Sequence, residues 1–71
     1  MSDALEARIL AAHAAGDGAA LVTLYRDAAD GAERPRVAAF FLTQAYVFAL
    51  ECGHPETGAL RARLVAMGCE A

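Results

Sequence analysis

The sequence predicts an all-α fold in a single helical domain over residues 1–71, with four helices forming two antiparallel helical hairpins. Apolar residues recur at spacings of three and four, and no segment shows a convincing period of two. Glycine and proline divide the chain into four segments of helical length. Alanine, the strongest helix former, occupies 19 of the 71 positions. Residues 37–50 could form a buried strand on composition alone, but their length, their alanines and the flanking stop signals favour a helix.

The first helix is predicted to begin at Asp3 and end at Gly16. Asp3 and Glu6 form the D-x-x-E pattern of a capping box. One helical face then carries the apolar residues at spacings of four and three, namely Leu5, Ile9 and Ala12. Asp17 follows the glycine and is expected to cap the second helix, since a carboxylate can accept from the free N–H groups of a first turn.

The second and third helices are predicted on either side of the longest loop, residues 31–35. The second helix has an apolar face of Ala20, Leu21, Leu24, Tyr25 and Ala28. Gly31 is expected to end it in the left-handed conformation. Pro35 fits the first turn of the third helix, where its missing N–H costs nothing. This helix is predicted to reach Glu51 or Cys52 and to stop at Gly53.

The fourth helix is predicted to open within the segment His54-Pro55-Glu56. Pro55 suits the first helical position, and Glu56 places a negative charge in the first turn. The buried face is expected to consist of Leu60, Leu64 and Met67, with Gly68 ending the helix.

Composition excludes several classes of protein. The net charge of −3 argues against a nucleic-acid binder, which needs a basic face. The N-terminal residues are acidic where a signal peptide is basic, and the longest uncharged run, residues 37–50, is too short for a bilayer. Cys52 and Cys69 are expected at opposite ends of a hairpin, so no disulfide is predicted. We therefore expect a cytoplasmic protein with free thiols, outside the membrane.

The third helix is too apolar for a chain this small, because its polar residues alternate with large apolar ones around the helix. A helix that is apolar almost all round is normally buried all round. One interpretation is that one side faces a protein partner, including a second copy of the chain, through Phe40, Gln44, Tyr46, Val47 and Leu50. The other interpretation is that the first and fourth helices cover it.

The pattern of turns and helices resembles tetratricopeptide and Sel1-like repeats. Gly16 and Gly53 lie 37 residues apart, near the period of such repeats. Residues 42–46 (Leu-Thr-x-x-Tyr) are similar to the first helix of a tetratricopeptide repeat, residues 20–29 to a second helix, and residues 53–56 to the Sel1-like G-x-x-E turn. The resemblance implies a helical scaffold that binds proteins or itself without catalysis. The two hairpins are expected to form either a TPR-like stack or a small bundle. With two repeats where three are usual, the resemblance also implies self-association.

The residues that could carry chemistry form no catalytic pattern. Cys52 and His54 lie at helix ends whose dipoles disfavour a thiolate and an imidazolium respectively. The chain has no phosphate-binding glycine loop and no carboxylate pair at a useful helical spacing, so neither an enzyme nor a cofactor is predicted. The alternative hypothesis is a small-ligand or metal-binding regulatory protein, in which stacked hairpins bring His13, Cys52 and His54 to one edge.

The arginines near the third helix leave a further choice open. Arg34 and Arg36 flank Pro35 and could bind an anion at the helix start. Solvated charges with local pairing to Glu33 or Asp30 are the simpler expectation.

Overall fold

The computed structural model describes residues 3–68 and contains four α-helices within them. They are α1 (Asp3–Ala15), α2 (Gly18–Asp30), α3 (Pro35–Cys52) and α4 (Thr57–Ala66). No strand occurs in this range. The all-α prediction is therefore confirmed, with the number of helices it specified.

Each helix packs against its neighbour in the chain, and the most extensive contact joins α2 to α3. The larger core cluster is shared by α2, α3 and α4 and consists of Val22, Ala29, Leu42, Ala45, Ala49, Leu60 and Leu64. A smaller cluster between α1 and α2 consists of Ile9, Ala12, Leu21 and Leu24. Tyr25 and Phe48 pack against both clusters and connect them.

The molecule is a thin slab, because its Cα atoms extend over 31 × 28 × 14 Å. Packed helices lie 8–10 Å apart, and a helix backbone is about 5 Å across. A thickness of 14 Å therefore leaves room for at most two helix layers. No helix in such a slab can be surrounded by others.

The predicted helix ends are confirmed at three places. The Asp17 carboxylate accepts a hydrogen bond from the Ala20 N–H at 3.1 Å, as an N-cap does. Pro35 is the first residue of α3. Gly53 ends α3 in the left-handed region with a φ of 65°, a conformation that L side chains adopt only under strain.

The predicted start of α1 is confirmed, whereas the conformation predicted at the end of α2 is wrong. Within the described residues α1 begins at Asp3, and Asp3 and Glu6 place negative charge in its first turn, where it complements the helix dipole. Gly31 ends α2 as predicted, but it is right-handed, with a φ of −89°. The N–H groups of Gly31 and Ala32 bond to the carbonyl groups of Asp27 and Ala29, so the last turn of α2 closes without a left-handed residue.

The start and the buried face of α4 also differ from prediction. Pro55 precedes the helix, which begins at Thr57. The His54 ring nitrogen Nδ1 accepts from the Glu56 N–H at 3.0 Å, and the Thr57 hydroxyl donates to the His54 carbonyl at 2.7 Å, so a turn replaces the predicted first helical residues. Met67 lies beyond the end of α4 and is 39% exposed, whereas Leu60 and Leu64 are buried as predicted.

Two predictions concern the cysteines and the membrane. Cys52 is a free, exposed thiol, whereas Cys69 lies outside the described residues. Between residues 3 and 68, no helix combines the length and apolar character that crossing a bilayer requires.

Two ion pairs connect α2 with α4 and with the turn that precedes α4. Nη1 of Arg26 lies 2.6 Å from Oε1 and 2.5 Å from Oε2 of Glu56. Arg63 donates to Asp30 at 2.7 Å. The expected pairing of Asp30 with Arg34 or Arg36 is therefore wrong, because the Asp30 carboxylate is bound by Arg63 of α4 instead.

The Arg26–Glu56 pair is expected to make stability depend on pH. Hydrogen bonding to Arg26 lowers the pKa of Glu56 below its ordinary value; desolvation opposes this shift less strongly, and the positive charge of Arg26 adds to it. A carboxyl with a lowered pKa stabilises the fold above its unfolded pKa, about 4.3, and this stability is lost as the pH falls through the folded pKa. We expect the stability advantage of the wild type over Glu56→Gln to be present at pH 7 and to shrink below about pH 4.

Urea denaturation of the two proteins between pH 7 and pH 3 measures this difference. Glu33→Gln is the control for the loss of one negative charge, since Glu33 has no ion-pair partner among residues 3–68. A difference between wild type and Glu56→Gln that stays constant with pH contradicts the prediction.

Candidate interaction surface

One face of α3 carries large apolar side chains that stay exposed among residues 3–68. Phe40 is 57% exposed, Val47 40% and Leu50 56%. With the exposed Thr43 between them, these residues follow one another at spacings of three, four and three, which places them along one side of a helix. We call Phe40, Thr43, Val47 and Leu50 the α3 stripe.

The single polar group of the α3 stripe is already satisfied. The Thr43 hydroxyl donates to the Ala39 carbonyl one turn earlier, at 2.8 Å. A partner could therefore cover Thr43 without stranding a buried donor, which would otherwise cost about 1–3 kcal/mol. The stripe thus behaves as a continuous apolar surface.

The opposite face of α3 is the centre of the core. Leu42, Ala45 and Ala49 are all fully buried. The helix α1 reaches α3 only at the side, where the His13 and Phe48 rings meet edge to face at 5.5 Å. One interpretation of the sequence is that the first and fourth helices cover α3. In the described residues this coverage does not reach the α3 stripe.

Two other residues expected at the interface lie beside the stripe. Gln44 and Tyr46 are both half-buried. Tyr46 packs against the larger core cluster of its own chain. Both residues can lie at the border of a contact made by the stripe, but their side chains are less exposed than those of Phe40 and Leu50.

Aromatic stacking, which the sequence pattern did not indicate, supports Phe40 from behind. The rings of Phe40 and Phe41 meet edge to face at 5.5 Å, and Phe41 stacks on Tyr25 at 6.2 Å. Tyr25 in turn lies parallel to Phe48 at 5.9 Å. This series of rings joins the exposed Phe40 to both core clusters and limits the positions its ring can take.

The three residues considered as metal ligands have separate partners. Nε2 of His13 and the Tyr25 hydroxyl share a hydrogen bond of 2.8 Å. His54 uses Nδ1 to hold the turn before α4. Cys52 lies beside Gly18, its thiol 4.0 Å from the Ala49 carbonyl. Within the described range, no group of three or more His, Cys, Asp or Glu residues could hold a metal ion.

The surface also has two open grooves. One, of about 440 Å³, lies between the α2–α3 loop and the starts of α1 and α3, with Leu5, Val37 and Phe41 among its lining residues. The other, of about 520 Å³, lies between α1 and α2, and half of its lining residues are alanines. No buried side-chain polar atom in the described part of the chain lacks a hydrogen-bond partner.

The comparisons with known proteins add no relative. No protein-family model, curated protein or solved structure matches the chain. The resemblance to tetratricopeptide and Sel1-like repeats therefore stays a prediction.

Proposed function

We propose that the chain is a small protein-interaction module without catalytic activity that associates with a second copy of itself through the α3 stripe. The observation that carries the proposal is the exposure of Phe40, Val47 and Leu50 on one face of the helix whose other face forms the core. Contiguous apolar surface of this kind marks interaction sites on small proteins. The resemblance to helical repeats that bind proteins supports the same class.

The α3 stripe supplies only part of the free energy that a dimer needs. Burying the exposed half of a large apolar side chain contributes about 1 kcal/mol. In a symmetric dimer the same residues are buried twice, so three side chains contribute about 6 kcal/mol. Association costs at least ~4 kcal/mol in lost translational and rotational freedom, so the stripe alone would give a dissociation constant on the order of tens of millimolar. A tighter dimer therefore also needs contacts from the residues that border the stripe, such as Gln44 and Tyr46, and is expected to dissociate on dilution.

The location proposed for this module is the cytoplasm. Cys52 is an exposed free thiol, which a reducing compartment maintains. Nucleic acid is not a proposed partner, because the chain has a net charge of −3. The alternative of a metal-binding regulator has no support among the described residues, since its three candidate ligands each have another role.

Val47→Glu is expected to convert the dimer to a monomer. A carboxylate buried opposite an apolar side chain loses its hydration without a compensating partner, and symmetry introduces it twice. We expect the dissociation constant to rise about a hundredfold or more. Light scattering coupled to size exclusion, across a concentration series, measures the mass of both proteins.

Val65→Glu is the matched control. Val65 lies on α4 and is 43% exposed, against 40% for Val47, so both variants place the same charge at an equally exposed valine. The control should keep the wild-type mass, and circular dichroism should show both variants helical. A wild type that stays monomeric at every concentration, or a Val47→Glu variant that keeps the wild-type mass and melting temperature, contradicts the proposal.

A further inference from the structure

The exposed face of α3 has the same order of residue types from either end, a charged residue followed by an apolar one. Arg36, Phe40, Val47 and Glu51 follow one another at spacings of four, seven and four, and all four are exposed. At 100° per residue they lie within an arc of about 60°. Read from each end, the face presents a charged residue first and an apolar residue one turn later, but the charge is positive at the start and negative at the end.

The two charged ends of this face, Arg36 and Glu51, have no ion-pair partner within the described range of their own chain. The ion pairs among residues 3–68 join Arg26 to Asp27 and Glu56, and Arg63 to Asp30. Arg36 and Glu51 take part in none of them, and about 22 Å of helix separates the two residues. Their charges are therefore available to a partner that lies along α3.

We propose that the partner of α3 is α3 of a second copy, packed in the antiparallel direction about a two-fold axis near Thr43. This inference rests on the self-association proposed above and specifies its geometry. An antiparallel pair brings Arg36 of each copy to the end of the face where the other copy has Glu51. It also sets Phe40 against Val47 of the second copy, a large side chain against a smaller one.

The parallel arrangement is disfavoured by the same charges. It would place Arg36 beside Arg36 and Glu51 beside Glu51, so both ends of the interface would repel. Thr43 lies close to the centre of the antiparallel pair, where two copies of one residue approach each other. Its small side chain, with the hydroxyl bonded to Ala39, lets the two helices come close without an unsatisfied group.

Cysteine cross-linking distinguishes the two orientations. In a background of Cys52→Ser and Cys69→Ser, one protein carries Arg36→Cys and a second carries Glu51→Cys. A thiol cross-linker much shorter than 22 Å, the separation along the helix, is added to each protein alone and to their mixture. We expect a covalent dimer in the mixture and little from either protein alone. The mixed dimer also keeps one Arg36–Glu51 pair.

Charge reversal supplies an independent readout. Arg36→Glu places like charges at both ends of the antiparallel dimer and should weaken association about tenfold. Adding Glu51→Arg to it restores opposite charges and should restore the wild-type dissociation constant. Arg61→Glu, on the exposed surface of α4, is the control and should leave association unchanged.

The outcomes separate this inference from the proposed function. A dimer in which each cysteine variant cross-links to itself, or in which Arg36→Glu associates as tightly as the wild type, overturns the antiparallel pairing and leaves self-association standing. A wild type that is monomeric at all concentrations overturns both. Cross-linking confined to the mixture, together with rescue by the double reversal, supports the antiparallel dimer.

Discussion

Leu42→Ala is expected to lose about 3–5 kcal/mol of unfolding free energy and to populate the unfolded state measurably without denaturant. Leu42 is completely buried where α3 meets the larger core cluster. Its truncation removes apolar contacts and leaves a cavity that the surrounding helices only partly fill. At about 0.05–0.15 kcal/mol per residue, a chain of this length has few kcal/mol to lose.

Urea denaturation followed by circular dichroism measures the loss. Leu10→Ala is the matched control, because it removes the same atoms from a leucine that is 63% exposed on α1. The control should change stability by about 0.5 kcal/mol or less. Both variants must be compared with the wild type at one protein concentration, since self-association adds to apparent stability. Equal losses in the two variants would contradict the packing of α3 described here.

Ala45→Leu is expected to destabilise the fold by about 1–3 kcal/mol through overpacking. Ala45 and Ala49 lie one turn apart on α3, and both are fully buried. They belong to the cluster that α3 shares with α2, its most extensive neighbour. The small side chains let the helices approach closely, so a leucine at position 45 must displace a neighbour or strain its own rotamer.

The control for Ala45→Leu is the same substitution at Ala62, which is exposed on α4. Both changes exchange one strong helix former for another, so helix propensity contributes little to either. We expect Ala62→Leu to melt within a few degrees of the wild type and Ala45→Leu to melt well below it. A buried variant as stable as its control would show that α2 and α3 are not in close contact at this position.

The helix ends that the sequence predicted correctly depend on local chemistry. The carboxylate of Asp17, the ring of Pro35 and the missing side chain of Gly53 each act on the turn beside them, whatever the rest of the chain does. The wrong predictions involve alternatives of similar energy. Gly31, like any glycine, can adopt a right-handed or a left-handed backbone conformation at similar cost. The ring of His54 accepts a hydrogen bond that stabilises a turn in place of the first turn predicted for α4.

The partners of the polar side chains could not be predicted, because they lie far apart in the sequence. Arg26 finds Glu56 thirty positions away, and His13 finds Tyr25 on the next helix. Both contacts depend on how α1 and α4 are placed against α2. Nothing in the spacing of these residues indicates that placement, and His13, Cys52 and His54, which the sequence places at one edge, each have a different partner.

The sequence by itself determined that this protein is helical, where its helices lie within a few residues, and that α3 carries more apolar residues than one buried face needs. Hydrophobic periodicity and turn-forming residues act on the neighbouring backbone, so their effects can be predicted from the sequence without the tertiary structure. Only the tertiary structure decided which of those apolar residues stay exposed. Burial depends on where the neighbouring helices lie, and a slab 14 Å thick covers Leu42 but leaves Phe40, Val47 and Leu50 open.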